Sequence, residues 1–197
     1  MLIRCIGVEI VCMKNHTQIH IDKVYFMYYT KRMKKLKVYL DTSVINFLKV
    51  EDSPDYRRDT ELFFATMVAS EKVKTYVSRI VFEEIKNTDD IVKRKELLDI
   101  FIQYPNIKTL IAEENNVEEI NILVENYLNN NIIPRKNIAD AFHIAYATIF
   151  EMDILLSWNF KHLANINKEQ KILLVNKLHG YNYPFRMASP LEVINYE

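Results

Sequence analysis

From Lys37 onward, short apolar runs alternate with longer stretches whose apolar residues recur every three or four positions. Val38-Tyr39-Leu40 is the first such run, and it predicts a short buried strand. Residues 43–50 follow as a short helix that Thr42 or Ser43 can cap. Ser53-Pro54 marks a turn and a helix start, and residues 55–70 carry Leu62, Phe63, Thr66, Met67 and Ala69 at helical spacing. The alternation then continues with a strand at 73–77, a Ser78-capped helix to about 86, and an amphipathic helix at 91–104 stopped by Pro105. A strand at 107–112 and a helix at 113–130 come next, and Pro134 breaks the chain before a helix from about 137 to 152. Residues 154–157 read as a strand, 160–163 as a short helix, 168–178 as a longer helix and 184–187 as a last strand. Ser189-Pro190 opens a terminal turn or helix. Strands alternating with helices imply an α/β fold with a parallel sheet covered on both faces. Ligands of such sheets bind outside the carboxyl ends of the strands, so strand-ending polar residues become candidates for chemistry.

The first 36 residues do not share this pattern and read as an N-terminal extension to a domain at 37–197. Tyr25, Phe26, Tyr28 and Tyr29 stand beside a basic stretch with no helical or strand period. Met33 opens Met-Lys-Lys-Leu-Lys-Val-Tyr-Leu-Asp, a charged lead-in to a buried first strand. Met33 is therefore expected to be the biological start, with residues 1–32 an upstream extension or a poorly ordered arm. An intact mass matching all 197 residues would overturn that expectation.

Composition narrows the class. Only two Gly among 49% apolar residues favour one compact domain with short loops. The net charge is zero, so the basic surplus common in nucleic-acid binders is missing from the whole. It is present locally: Arg4, Lys14, Lys23, Lys31, Arg32, Lys34 and Lys35 face only Glu9 and Asp22 in the first 36 residues, leaving the main body acidic. Cys5 and Cys12 make neither a disulfide framework nor a zinc site, and a reducing cytoplasmic setting is expected. No apolar run reaches the roughly 18 residues of a membrane span.

Four positions could carry chemistry. Asp41 ends the first strand, where a carboxylate can hold a hard cation or cap the following helix. Glu84 sits nearly two turns past Ser78. Its neighbour Glu83 points about 100° away, so only one of the two can face the crevice. Asp140 opens the Ala-rich helix Ile138-Ala139-Asp140-Ala141-Phe142-His143-Ile144-Ala145, and a carboxylate among apolar neighbours needs a partner. A metal would supply one, and His143 lies one turn on as a packed or supporting group. Asn159 follows the strand at 154–157, as a turn residue or as an amide donor to a cation. Trp158 reads as core in preference to a base-stacking surface, and Arg79, Lys86, Lys161 and His162 flank the crevice as candidate phosphate contacts.

The order of these features is more specific than any one of them. Val38-Tyr39-Leu40-Asp41-Thr42-Ser43, then Ser78 through Glu84-Ile85, then Asp140-Ala141-Phe142-His143-Ile144-Ala145, then Leu155-Leu156-Ser157-Trp158-Asn159-Phe160 resembles the PIN-domain family, including VapC-type ribonuclease toxins. The resemblance spans about 37–197. It implies a three-layer α/β/α fold around a central, mostly parallel sheet of four to five strands, and a metal-dependent endoribonuclease using Mg²⁺ or Mn²⁺. By the same resemblance Asp41, Glu84 and Asp140 hold the metal, Asn159 completes the catalytic set, and Thr42, Ser43, Ser157 and His143 support it. Family members commonly carry Asp where this chain has Asn159, so its site is one unit less negative. The implied partners are an RNA substrate, a small antitoxin that caps the crevice, and a second copy of the chain through the helices around 55–104.

Two other classes compete. A catalytically weak PIN module would act as an RNA- or protein-binding scaffold, and poor Mn²⁺ binding would distinguish it. A phosphohydrolase of the haloacid dehalogenase type also starts from a strand-ending Asp, but its chemistry wants a second Asp where this chain has Ser43.

Overall fold

The computed structural model describes residues 34–161, 163 and 165–194, and the backbone of 3–5 and 8–10. The chain divides into two units, Met1–Lys34 and Lys35–Glu197. In the first, β1 (Ile3–Cys5) and β2 (Val8–Ile10) pair antiparallel, with Cys5 opposite Val8. Met33 and Cys12 lie outside the described residues.

In the second unit, β3 (Lys37–Leu40) takes the centre of a sheet because both its faces are apolar. Val38 and Leu40 enter one core and Tyr39 the other, all fully buried. The chain then runs through α1 (Thr42–Phe47), α2 (Pro54–Phe63) with a closing π-helical segment (Phe64–Val68), and β4 (Lys74–Ser78). Next come α3 (Arg79–Lys86), α4 (Ile91–Gln103), β5 (Lys108–Leu110) and α5 (Glu114–Asn129). A 3₁₀ turn (Arg135–Asn137) leads into α6 (Ile138–Ile149), and β6 (Ile154–Leu156), α7 (Ile166–Leu178), β7 (Arg186–Ala188) and α8 (Pro190–Ile194) complete the unit.

The five strands β3–β7 form one sheet in the order β5-β4-β3-β6-β7, every neighbouring pair parallel. Helices on both faces make three layers, as the alternating sequence pattern predicts. Tyr39, Leu155 and Met187 pack with α5, α6 and α7 through Leu123, Val124, Tyr127, Ile144, Ala145 and Ile172. Val38, Leu40, Val77 and Leu156 pack on the opposite face against Val44, Ile45, Phe63, Phe64, Val81, Ile85 and Ile100. From β3 the chain first moves outward through β4 and β5, then returns to the other side of β3 as β6. That reversal puts a crevice at the carboxyl ends of β3 and β6.

Several boundaries differ from those the pattern predicts. The first helix is capped by Asp41, whose side chain accepts from the Val44 N–H, in place of Thr42 or Ser43. Strand β5 is shorter than the strand expected at 107–112, and Ile111 just beyond it lies 80% exposed at the sheet edge. Residues 160 and 161 form a turn in place of the expected helix, with the Leu163 N–H donating to the Asn159 carbonyl at 2.8 Å. No helix among the described residues is long and apolar enough to cross a membrane.

Candidate active site at the sheet switch point

Asp41 emerges from β3 straight into the crevice, and its backbone N–H donates to the Leu156 carbonyl of β6 at 3.1 Å. Its carboxylate is 3% exposed and accepts three bonds. Ser43 Oγ and the Val44 N–H donate to Oδ1 at 2.6 and 3.2 Å, and Ser157 Oγ donates to Oδ2 at 2.6 Å. Burial raises the Asp41 carboxyl above the ordinary aspartate range, against the lowering effects of His143 and of these donors. A carboxylate offers about four lone-pair sites, so three bonds leave roughly one for a further ligand.

Ser157 and Ser43 extend the network. The Asn159 N–H donates to Ser157 Oγ and the Trp158 N–H to Ser43 Oγ, both at 2.9 Å. Asn159 Nδ2 reaches both oxygens of Asp140, at 3.3 and 3.2 Å. Asp140 is half-buried in the first turn of α6, where the positive helix end favours its charge. Its carboxyl is nevertheless pushed up to about 6, chiefly by burial. His143 and Asn159 oppose this, while the like charges of Asp41 and Glu84 add to it. The three carboxylates thus sense one another.

Glu84 closes the other side. It accepts from the Thr42 hydroxyl and from His143 Nε2, the latter at 2.8 Å, both on Oε2. Burial would raise Glu84, but the hydrogen bond and charge of His143, with Thr42, outweigh it and hold the carboxyl below its usual value. Burial would likewise lower His143, and the bond and charge of Glu84 outweigh it, aided by Asp41 and Asp140, so the imidazole is raised. Glu83 turns outward, exposed and 3.9 Å from Arg79.

A residue absent from the sequence-derived set joins here. The Tyr39 hydroxyl lies 2.7 Å from Ser78 Oγ and 2.8 Å from His143 Nδ1, in full burial. Since Glu84 can only accept, Nε2 of His143 carries a proton; the neutral ring then takes the Tyr39 O–H on Nδ1. Burial, the largest effect, keeps the Tyr39 phenol well above its ordinary value and thus protonated. A tyrosine inside an otherwise aliphatic buried strand must find a partner for its hydroxyl, and that is the sequence signal for Tyr39.

Asp41, Thr42, Ser43, Glu84, Asp140, His143, Ser157 and Asn159 therefore all meet at one end of the sheet. Trp158 is 7% exposed and donates from Nε1 to Thr60 Oγ1 at 2.8 Å, as a core residue does. His162 lies outside the described residues. Among the described residues, no three Asp, Glu, His or Cys side chains stand grouped to hold one ion as they are oriented. Glu84 is turned onto Thr42 and His143, and Asp140 onto Asn159. The donor set itself, carboxylates with an amide and hydroxyls, is the hard-oxygen type that Mg²⁺ and Mn²⁺ prefer. Compared with protein-family models and with curated proteins, the sequence matches none.

Proposed function

We propose that this protein is a metal-dependent endoribonuclease of the PIN type, hydrolysing RNA phosphodiester bonds. The observation that carries the reading is the assembly of Asp41, Glu84 and Asp140, from three separate elements, in two hydrogen-bonded networks that adjoin at Asp41-Thr42, at the switch point of a parallel sheet. In the ion pairs of the described residues, the basic side chain set against these carboxylates is His143, on Glu84, and it is charged only when protonated. Negative charge collected at the cost of a raised Asp140 is what cation binding requires.

Asp41, Glu84 and Asp140 would hold the ion, with Asn159 contributing its amide oxygen after a turn of the side chain. A bound divalent cation would supply positive charge to the phosphoryl oxygens and ease deprotonation of an attacking water. Ser43 and Ser157 keep the Asp41 carboxylate in one orientation, and Thr42 and His143 do the same for Glu84. Half-buried Asp140 is the carboxylate best placed to exchange its Asn159 contact for a ligand or a water proton. Within this reading, the toxin of a toxin–antitoxin pair is the proposed role.

The test pairs cleavage with metal binding. Wild-type protein should cut single-stranded RNA with Mn²⁺ and stop in EDTA, and Asp140→Asn should lose both the cleavage and the calorimetric Mn²⁺ signal. Undiminished cleavage by that variant sinks the site. A second reading has its own observation: Asn159 donates its amide to both Asp140 oxygens, blocking that carboxylate as a base. A scaffold that binds RNA or protein without cutting it would leave wild type inert with Mn²⁺, and Asn159→Asp would then restore metal binding.

A further inference from the structure

Beside the carboxylates stands an aromatic cluster that the proposed chemistry does not use. Trp158 and Phe47 form its base. Tyr56 lies 4.7 Å from Trp158 and 5.3 Å from Phe47 between ring centroids, and Phe160 lies 5.9 Å from Trp158. Trp158 is buried, whereas Tyr56 and Phe160 are 40% and 47% exposed. These two outer rings stand 6.3 Å apart, inclined at 44°, and make an open corner. Buried Trp158 and partly buried Phe47 beneath hold the corner in place, so little side-chain entropy remains to be lost when something stacks on it.

The cluster is continuous with the site. Trp158 donates its backbone N–H to Ser43 Oγ, which in turn donates to Asp41. Phe160 directly follows Asn159, whose amide contacts Asp140. Lys161, exposed, directly follows Phe160, and Lys168 feels the attraction of Asp140 against the repulsion of Lys161 and Lys171. The arginines next to Tyr56 in sequence are engaged within α2, Arg57 with Glu61 at 2.8 Å and Arg58 with Asp55 at 3.2 Å. Exposed Phe160 and Lys161 thus follow directly on Asn159, which contacts Asp140.

We infer that Tyr56 and Phe160 form a stacking platform for an unpaired base of the RNA strand, with Lys161 on its phosphates. The inference rests on the nuclease reading for the identity of the strand. A π-face accepts any base, whereas a duplex keeps its bases stacked on each other and offers no free face. The platform therefore selects for single-strandedness with little choice of sequence.

The experiment reads binding apart from cleavage. The full chain, in EDTA, is titrated into a short fluorescein-labelled single-stranded RNA and into a duplex of the same length, by anisotropy. Trp158 is the only tryptophan in the chain, so its emission reports from beneath the platform and shows whether each variant keeps the cluster intact. Tyr56→Ala and Phe160→Ala should each weaken single-strand binding about tenfold or more, while Tyr56→Phe and Phe160→Tyr retain it. Lys161→Gln should flatten the salt dependence. Alanine variants with a native Trp158 spectrum and unchanged affinity overturn the platform, as does a duplex bound as tightly as the strand. If wild type cuts RNA with Mn²⁺ yet the alanine variants bind normally, the platform fails and the nuclease reading stands. If wild type binds the strand through the two rings but never cuts, the platform stands and the nuclease reading fails.

Discussion

Asp140 holds a charge that the fold would shed more easily than keep. Its folded value, about 6, lies above that of an unfolded aspartate, so the native state binds the proton more tightly. Stability from this group is therefore gained as pH falls through 6 and lost as pH rises. In EDTA at pH 7, Asp140→Asn should be more stable than wild type by about 1–2 kcal/mol, after allowance for partial exposure. That advantage should shrink toward zero between pH 6 and about 4, as urea melts of the two proteins at each pH will show. Tyr39→Phe should act in the opposite direction. It strips the hydroxyl shared by Ser78 and His143, leaves two buried polar groups short of a partner, and should cost about 1–3 kcal/mol in the same melts. Residue chemistry of this kind was only partly legible in the sequence. The strand-ending Asp41 and the acid within an alanine-rich helix were visible because each broke a local apolar pattern. The His143–Glu84 bond joins positions 59 residues apart, and nothing local encodes it. Asp41 looked like either a ligand or a cap, and the structure gives it the cap while leaving a lone pair for the other role.

At the scale of elements, a chain with two glycines must end its helices on other residues. Four helical segments close with the same pair of reversed bonds. Glu151 and Met152 donate to Thr148 and Ala147, Asn131 and Ile132 to Leu128 and Tyr127, Gly180 and Tyr181 to Lys177 and Asn176, and Glu71 and Lys72 to Val68 and Met67. The turning residue needs positive φ, which Gly180 adopts at 89°, but Glu71, Asn131 and Glu151 hold it at 52°, 53° and 50°. A glutamate there bears a Cβ clash of about 1 kcal/mol or more. Glu151→Gly and Glu71→Gly should each raise stability by up to about 1 kcal/mol, and Gly180→Ala should lower it similarly; thermal melts in EDTA are the check. Strand and helix order was readable from periodicity. The helix ends at Asn129 and Leu178 were readable too, but the positive φ of Glu71 and Glu151 was not, because no glycine stands at either. Edge effects were also hidden: Leu110, Ile111 and Ala112 are all apolar, yet Ile111 is exposed and the strand stops at Leu110.

Across the whole molecule, the parallel order β5-β4-β3-β6-β7 makes the β3–β6 seam the place where the two directions of the chain meet. The continuous apolar runs at Val38–Leu40 and Ile154–Leu156 announced buried strands. They could not announce that the strands are neighbours, since 116 residues separate Asp41 from Ser157. Asp41 fastens that seam from both ends, through its amide to Leu156 and its carboxylate to Ser157, while capping α1. Asp41→Ala should cost about 1–3 kcal/mol and speed hydrogen exchange of the Val44 and Asn159 amides, which a substitution off the seam such as Asp140→Asn should leave slow. The double duty has a consequence for descent. On the proposed nuclease reading, a lineage that gave up the chemistry would no longer need Asp140, yet would still need Asp41 to hold the β3–β6 seam. Among inactive descendants Asp41 would persist as a fossil of chemistry no longer performed, and the state of Asp140 would be the sounder guide to which of them still react.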